Sequence, residues 1–196
     1  EIIKKSEEIG LIYNLGKWII ERVFIISKEF KKDTVFNINL SAIQLKTLKF
    51  SDQLSGLIEA YNVDTRRFVF EITETVIIEK NDTVLRNIDA IKAHGFKLAL
   101  DDFGTGYSSL SYLNTLPIDI VKFDRSFIVA ATDNERSYIL LKYINKMLKK
   151  IHMKTVAEGI DTDKQLGVVR SLDIDHIQGY NIGRPTSVVE IHDSSK

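Results

Sequence analysis

Two adjacent aspartates, Asp101 and Asp102, end an apolar run and lead directly into a stretch rich in glycine and serine, in the segment KLALDDFGTGYSSL. Neighbouring like charges repel each other and a protein core does not solvate them, so packing alone does not account for the pair. Carboxylate oxygens are the ligands that hard divalent cations take. The pattern therefore predicts a divalent-metal site at a strand end, followed by a flap in which Gly104 and Gly106 permit unusual backbone conformations.

Other polar side chains occupy equivalent places, at or near the ends of further predicted strands: Asn39, Glu71, Lys122, Glu158 and Gln178. Strands are predicted at 34–42, 67–75, 96–102, 118–124, 153–160 and 174–180. Helical patterns lie between them, and this alternation indicates a parallel sheet with right-handed crossovers. In a (β/α)₈ barrel the ends of all strands converge on one rim, whereas in a doubly wound sheet only a few converge. The predicted fold class is therefore α/β, a modified TIM (β/α)₈-type barrel.

The strand count falls short of a closed barrel, which needs eight strands and typically about 250 residues. The chain has 196 residues and begins in a helical pattern. We therefore expect about six strands here, with the first two missing. We also expect the natural protein to be longer, because open sheet edges and an unpaired core would leave a 196-residue product unstable.

The helical patterns carry further local predictions. They are predicted at 7–30, 50–63, 82–95, 108–116, 134–151 and 163–172. Ser51 is a plausible N-cap, Gly95 closes its helix in the usual C-terminal role, and Trp18 is expected in the core.

Composition excludes several function classes. Lys plus Arg equals Asp plus Glu at 27 each, so the chain lacks the basic surplus that a nucleic-acid polymer usually requires. Without any cysteine it has no disulfide frame and no thiolate nucleophile. No apolar run reaches membrane-spanning length and no signal-peptide pattern opens the chain. A soluble, cytoplasmic protein is the expectation.

Each candidate residue also has a structural alternative. Asn39 is a favoured helix cap, Glu71 and Glu74 could form a solvated strand end, and Lys122 could pair with Asp124. Glu158 could cap the next helix, and Gln178 could form a hydrogen bond at the rim. The run GTGYSS is similar to a dinucleotide-binding glycine turn, but its third glycine is missing. All of these alternatives together require six coincidences at one rim, so we favour a chemical site.

The motifs resemble one known family. NLSA at 39–42, EITE at 71–74, DDFGTGYSSL at 101–110, KFD at 122–124, AEGID at 157–161 and QGY at 178–180 are similar to the EAL-domain cyclic di-GMP phosphodiesterases. The resemblance implies an EAL-type phosphodiesterase domain over residues 1–196, N-terminally incomplete, because the family's Glu-Ala-Leu motif lies on two earlier strands. It implies hydrolysis of cyclic di-GMP to linear 5'-pGpG in bacterial signalling, with two Mg²⁺ or Mn²⁺ ions.

The resemblance also implies residue roles. Asn39, Glu71 and Asp101 would hold one metal, and Asp101 would bridge to a second metal held by Asp102 and Glu158. An arginine on the family's earlier strands contacts the substrate.

Three further roles come from the same resemblance. Lys122, Glu158 and Gln178 would act in catalysis, with the lysine near the attacking water or the phosphate. Glu74 would anchor the flap, which is formed by Gly104, Thr105, Gly106, Tyr107, Ser108 and Ser109.

One position departs from the family pattern, which commonly reads Glu-Gly-Val-Glu where this chain has Glu-Gly-Ile-Asp at 158–161. Asp161 keeps the charge with a shorter reach, so it is a candidate contact to substrate or to metal-bound water, and weaker activity is expected. The family also implies a homodimer linked to the flap and fusion to upstream sensor or diguanylate cyclase domains. The alternative function is a catalytically inactive EAL-like module that binds cyclic di-GMP or a protein partner.

Overall fold

Helices and strands alternate along the chain, which folds into two compact units, residues 1–98 and 99–196. This computed structural model describes residues 2–78, 81–105, 111–188 and 190–191. The first unit contains α1 (Ile2–Glu8), α2 (Ile12–Ile26), β1 (Phe36–Asn39), α3 (Ala42–Leu45), α4 (Phe50–Tyr61), β2 (Phe68–Thr73), α5 (Glu74–Ile78) and α6 (Asp82–Ala93). The second contains most of β3 (Lys97–Phe103), then α7 (Ser111–Thr115), β4 (Ile120–Phe123), α8 (Arg125–Asp133), α9 (Glu135–Lys150), β5 (Lys154–Ala157), α10 (Asp163–Ser171) and β6 (His176–Ile177). None of the described helices is long and apolar enough to cross a bilayer.

The first unit is built on two parallel strands and a cluster of aromatic rings. β1 pairs with β2 in a register that sets Asn39 opposite Glu71. The ring of Phe68 lies 4.8 Å from that of Phe24 and 6.3 Å from that of Phe96, measured between centroids. All three rings are fully buried, and burial of such a side chain stabilises a fold by about 1.5–3 kcal/mol.

Helix ends in this unit correct two predictions and confirm a third. The helix predicted over 7–30 is interrupted at Gly10, whose φ of +72° ends α1 before α2 begins. Ser51 is not an N-cap, because α4 begins one residue earlier and Lys49 precedes it. Gly95 follows α6 with a φ of +86°, the left-handed conformation expected after a helix.

Trp18 contradicts its predicted place in the core, since 59% of it is exposed. The buried stripe of α2 runs through Ile12, Ile20 and Phe24, which are four or eight positions apart. Trp18 lies two residues before Ile20, about 200° around the helix, and therefore on the opposite side.

The second unit is a parallel sheet in which β3 pairs with β4, β4 with β5, and β5 with β6. Val121, Phe123 and Ala157 on the central strands are fully buried. α9 packs against β5, and the buried stripe of this helix includes Leu141 and Leu148, both fully buried. Such parallel strands need a crossover connection between each pair, as the sequence predicted.

The sequence missed α8, which follows β4 directly. Asp124 is its N-cap, because the carboxylate accepts a hydrogen bond of 2.8 Å from the backbone N–H of Ser126. This cap lets α8 begin three residues after Lys122, with only Asp124 between the strand and the helix.

A hydrogen-bonded network fixes the start of β5. Thr155 donates its hydroxyl to Asn145 Oδ1 on α9 (2.8 Å) and its backbone N–H to Asp175 Oδ2 (3.0 Å). Lys154 Nζ pairs with Asp175 Oδ1 at 2.7 Å. Burial acts to raise the pKa of Asp175, but the bonds from Lys154 and Thr155 outweigh it and hold that pKa below its ordinary value.

Candidate metal centre

The two adjacent aspartates lie in a bulge at the end of β3. Leu100 is opposite Val121 and Phe103 is opposite Phe123, so three steps along β3 match two along β4. Successive side chains of a regular strand point to opposite faces, and an extra residue in one strand changes that direction.

Asp102 carries the unusual backbone conformation of this bulge, with φ at +56°. Its backbone N–H donates to Asp101 Oδ1 at 3.1 Å, and its carbonyl accepts the Thr105 hydroxyl at 3.0 Å. Aspartate is one of the few residues other than glycine that tolerate this left-handed region. The pair can therefore be followed by a tight turn, which begins with Gly104 at a φ of +105°.

Lys122 joins the ends of β3 and β5. Its Nζ lies 3.0 Å from Asp101 Oδ1 and 2.7 Å from Glu158 Oε1, and its side chain is only 5% exposed. An ammonium so deeply buried requires negative partners, and the two carboxylates supply them. Asp124 is instead used as the cap of α8, so the alternative pairing of Lys122 with Asp124 is not the one the structure adopts.

Three carboxylates gather beside this lysine. One oxygen each from Asp101, Asp102 and Glu158 lie within 4.8 Å of one another. Three carboxylates against one ammonium leave a formal charge of −2, which favours an additional cation. Oxygen donors at this separation suit a hard divalent ion such as Mg²⁺ or Mn²⁺, so the residues present fit the metal that the sequence predicts.

Glu158 follows β5 in a turn held by backbone hydrogen bonds. Its N–H donates to the carbonyl of Phe123 (3.1 Å), and the N–H of Ile160 donates to the carbonyl of Gln178 (3.1 Å). Gly159 has a φ of +63°, and a Cβ added at Gly179 would lie 2.2 Å from the backbone nitrogen of Ile160. Both glycines are therefore needed for the turn to close.

Gln178 and Asp161 lie beside this turn. The Gln178 backbone pairs with Ala157 and Ile160, while its side chain is exposed. Asp161 Oδ2 lies 2.8 Å from Arg125 Nη2, and Asp161 Oδ1 accepts the backbone N–H of Tyr180 at 3.3 Å.

The first unit carries its own pair of predicted ligands. Asn39 and Glu71 face each other across β1 and β2 and line a cleft of about 750 Å³. Asn37, Thr73 and Thr75 line the same cleft and were not predicted. Asn37 and Thr73 alternate with Asn39 and Glu71 at every second strand position, which was a signal for these two, whereas Thr75 lies in α5.

The residues predicted to form and anchor the flap are only partly described. Glu74 is buried and begins α5 immediately after β2. Gly104 and Thr105 form the start of the turn after β3. The remaining predicted flap residues lie outside the described part of the chain: Gly106, Tyr107, Ser108 and Ser109.

Comparison with known proteins identifies relatives of this arrangement. A family model described as EAL domain matches residues 1–185. The chain is 36% identical over 154 residues to the cyclic di-GMP phosphodiesterase PdeA of Borreliella burgdorferi, covering 79% of this chain and 23% of PdeA. It is 32% identical over 193 residues to the oxygen sensor protein DosP of Escherichia coli, covering 96% of this chain and 24% of DosP. It matches the structure of the PaMucR phosphodiesterase in complex with c-di-GMP with a TM-score of 0.88 at 27% identity, covering 96% of this chain and 78% of that one.

These matches confirm the predicted class, an α/β fold of the modified TIM (β/α)₈-barrel type with six strands here. The chain belongs to the EAL domain family. It spans about a quarter of the length of the two curated relatives named above.

Proposed function

We propose that this chain is a metal-dependent phosphodiesterase that hydrolyses cyclic di-GMP to linear 5'-pGpG. The observation that carries the proposal is the set of three carboxylates gathered beside a buried lysine at the strand ends of the second unit. The name of PdeA and the ligand of PaMucR support the choice of substrate.

Asp101, Asp102 and Glu158 would hold a divalent cation, and Asn39 with Glu71 offers further oxygen donors for a second. When bound, such ions activate water and stabilise the charge that develops on the phosphate. A bound cation would offset the mutual repulsion of the adjacent aspartates at the end of β3.

Lys122 has two tasks in this proposal. Its ammonium fixes the carboxylates of Asp101 and Glu158 before any ligand arrives, as the distances of 3.0 and 2.7 Å indicate. It also adds a fixed positive charge where the phosphate becomes more negative. In this proposal Glu158 would accept the proton of the attacking water.

The test is chromatographic detection of 5'-pGpG after incubation of cyclic di-GMP with the chain and Mn²⁺. We expect Asp101→Asn to lower the rate by about a thousandfold, roughly 4 kcal/mol in barrier height, because a metal ligand loses its charge. The matched control is Asp133→Asn, which makes the same change at an exposed ion pair with Lys164 and leaves the rate unchanged.

Two results would contradict the proposal. One is full activity in Asp101→Asn. The other is a folded wild-type chain that binds cyclic di-GMP without forming the linear product, which would make it a binding module.

A further inference from the structure

An arginine that the sequence did not single out connects the segment after β4, the strand that carries Lys122, to the turn that carries Glu158. Arg125 is the first residue of α8, three positions after Lys122. Its Nη2 lies 2.8 Å from Oδ2 of Asp161, three positions after Glu158. The ion pair therefore joins the segment after β4 to the turn after β5.

The aliphatic part of Arg125 also packs against that turn. A Cβ added to Gly159 would lie 2.5 Å from both Cβ and Cγ of Arg125 and 2.8 Å from its Cδ. The arginine stem thus occupies the space beside the residue that directly follows Glu158. Since Gly159 is in the left-handed region at a φ of +63°, the stem covers the point where the chain reverses.

Asp161 is fixed by further hydrogen bonds, so it can orient the arginine that it binds. Its second carboxylate oxygen accepts the N–H of Tyr180 at 3.3 Å. Its own N–H donates to Oε1 of Gln165, at 2.8 Å, within the capping box of α10. A carboxylate fixed on both sides orients the guanidinium that it binds.

We infer that Arg125 is a positioning residue for Glu158: it holds the 159–161 turn so that the Glu158 carboxylate stays beside Asp101, Asp102 and Lys122. The inference rests on the proposed function, because it assigns Arg125 to the same metal site. The Arg125 side chain is 61% exposed, so its ion pair contributes little to stability, and its effect is expected in metal affinity instead. Substitution of a residue that orients a metal ligand typically lowers metal affinity by about 10–100-fold.

The test is calorimetric titration of the chain with Mn²⁺, which requires no turnover. Arg125→Met keeps much of the apolar stem but removes the charge, and we expect Mn²⁺ affinity about tenfold lower. Arg125→Lys restores a cation and should recover part of the loss. Lys164→Met, which breaks the exposed pair with Asp133, is the matched control and should bind like wild type.

A second variant approaches the pair from the other side. Asp161→Asn is expected to weaken Mn²⁺ binding to a similar extent, and adding Arg125→Met to it should cause no further loss, because both act through one contact. If Arg125→Met fails to fold, Asp161→Asn alone tests the same contact.

The outcomes separate the two proposals. Wild-type affinity in Arg125→Met, or equal losses in the Lys164→Met control, overturns the positioning role even if the chain hydrolyses cyclic di-GMP. Mn²⁺ binding that weakens as expected in a chain without phosphodiesterase activity supports the positioning role and overturns the proposed function. A folded wild-type chain that binds no Mn²⁺ overturns both.

Discussion

The ends of β3 and β5 both present carboxylates, but they position them by different means. At the end of β3 the means are local: a bulge, a left-handed Asp102 and a bond from Thr105 two residues after the strand. At the end of β5 the supporting contacts come from residues distant in sequence. The backbone N–H of Glu158 donates to the carbonyl of Phe123, and the N–H of Ile160 in the following turn donates to the carbonyl of Gln178. Lys122 contacts carboxylates from both ends.

This difference predicts which substitutions would disrupt each strand end. A locally built site fails when its own residues can no longer adopt the required backbone conformation. A site held by distant partners fails when those partners no longer fit against it. The changes below separate these cases, from the largest expected effect to the smallest.

Lys122→Met should have the largest effect, because it removes the cation shared by both ends. The carboxylates of Asp101 and Glu158, only 15% and 18% exposed, lose their ion pair with this ammonium. We expect the free energy of unfolding to fall by about 3 kcal/mol without metal. Urea unfolding measures this, and saturating Mn²⁺ should restore more stability to the variant than it adds to wild type.

Lys164→Met is the control for that change. It breaks a pair in which both side chains are 66% exposed, so the free energy of unfolding should change by less than about 0.5 kcal/mol. An equally small change in Lys122→Met would show that the two strand ends do not depend on this lysine.

Gly179→Ala tests the distant support of β5. Its added methyl group would lie 2.2 Å from the backbone nitrogen of Ile160, which cannot move as a flexible side chain can. We expect a loss of about 2 kcal/mol in unfolding free energy, measured by urea unfolding. Gly167→Ala in α10 meets nothing within 4 Å and should instead stabilise by about 0.5–1 kcal/mol.

Asp175→Asn tests the start of β5, away from the metal centre. Loss of the charged acceptor for Lys154 and Thr155 should lower the free energy of unfolding by about 1.5 kcal/mol at pH 7. Because the folded-state pKa of Asp175 is lowered, its contribution is present above the unfolded pKa of about 3.9 and is lost as pH falls through the folded value.

Unfolding curves at pH 7 and pH 3 measure this dependence, and the difference in unfolding free energy between wild type and variant is expected to be smaller at pH 3. The control is Asp173→Asn, two residues earlier, whose side chain is 93% exposed and which should change stability little at either pH. A gap between Asp175→Asn and wild type that widens toward pH 3 would contradict the assigned direction.

Changes at Asp102 should have the smallest effect on stability. They separate the cost of its left-handed backbone conformation from the effect of losing its carboxylate charge. Asp102→Ala places a less tolerant residue at a φ of +56° and should cost about 1 kcal/mol, whereas Asp102→Asn should be close to neutral. Both remove the carboxylate, so both should weaken Mn²⁺ binding. Thermal unfolding and Mn²⁺ titration of the two variants measure the two effects independently.

Much of this arrangement was predictable from the sequence, because the strands are short apolar runs with polar residues at their ends. Asp101, Lys122 and Glu158 lie at or beside the ends of their predicted strands. The bulge at the end of β3 was not predicted, because the extra residue shows only in the pairing of β3 with β4.

The rest depended on tertiary contacts. α2 is apolar on several sides, so the sequence could not decide which stripe is buried, and Trp18 lies on the exposed side. α8 was missed because its cap, Asp124, lies inside the segment predicted as a strand at 118–124, so the local pattern does not separate the strand end from the helix start. Arg125 is distant in sequence from Gly159 and Asp161, and no local pattern connects them.

The most direct test of the metal centre is a titration that measures how much Mn²⁺ the chain binds. Electron paramagnetic resonance monitors the free Mn²⁺ during this titration. The geometry of Asp101, Asp102 and Glu158 predicts saturable binding that is lost in Asp101→Asn and retained in Asp133→Asn. Equal binding by wild type and Asp101→Asn would show that the carboxylates of the second unit do not form a metal site.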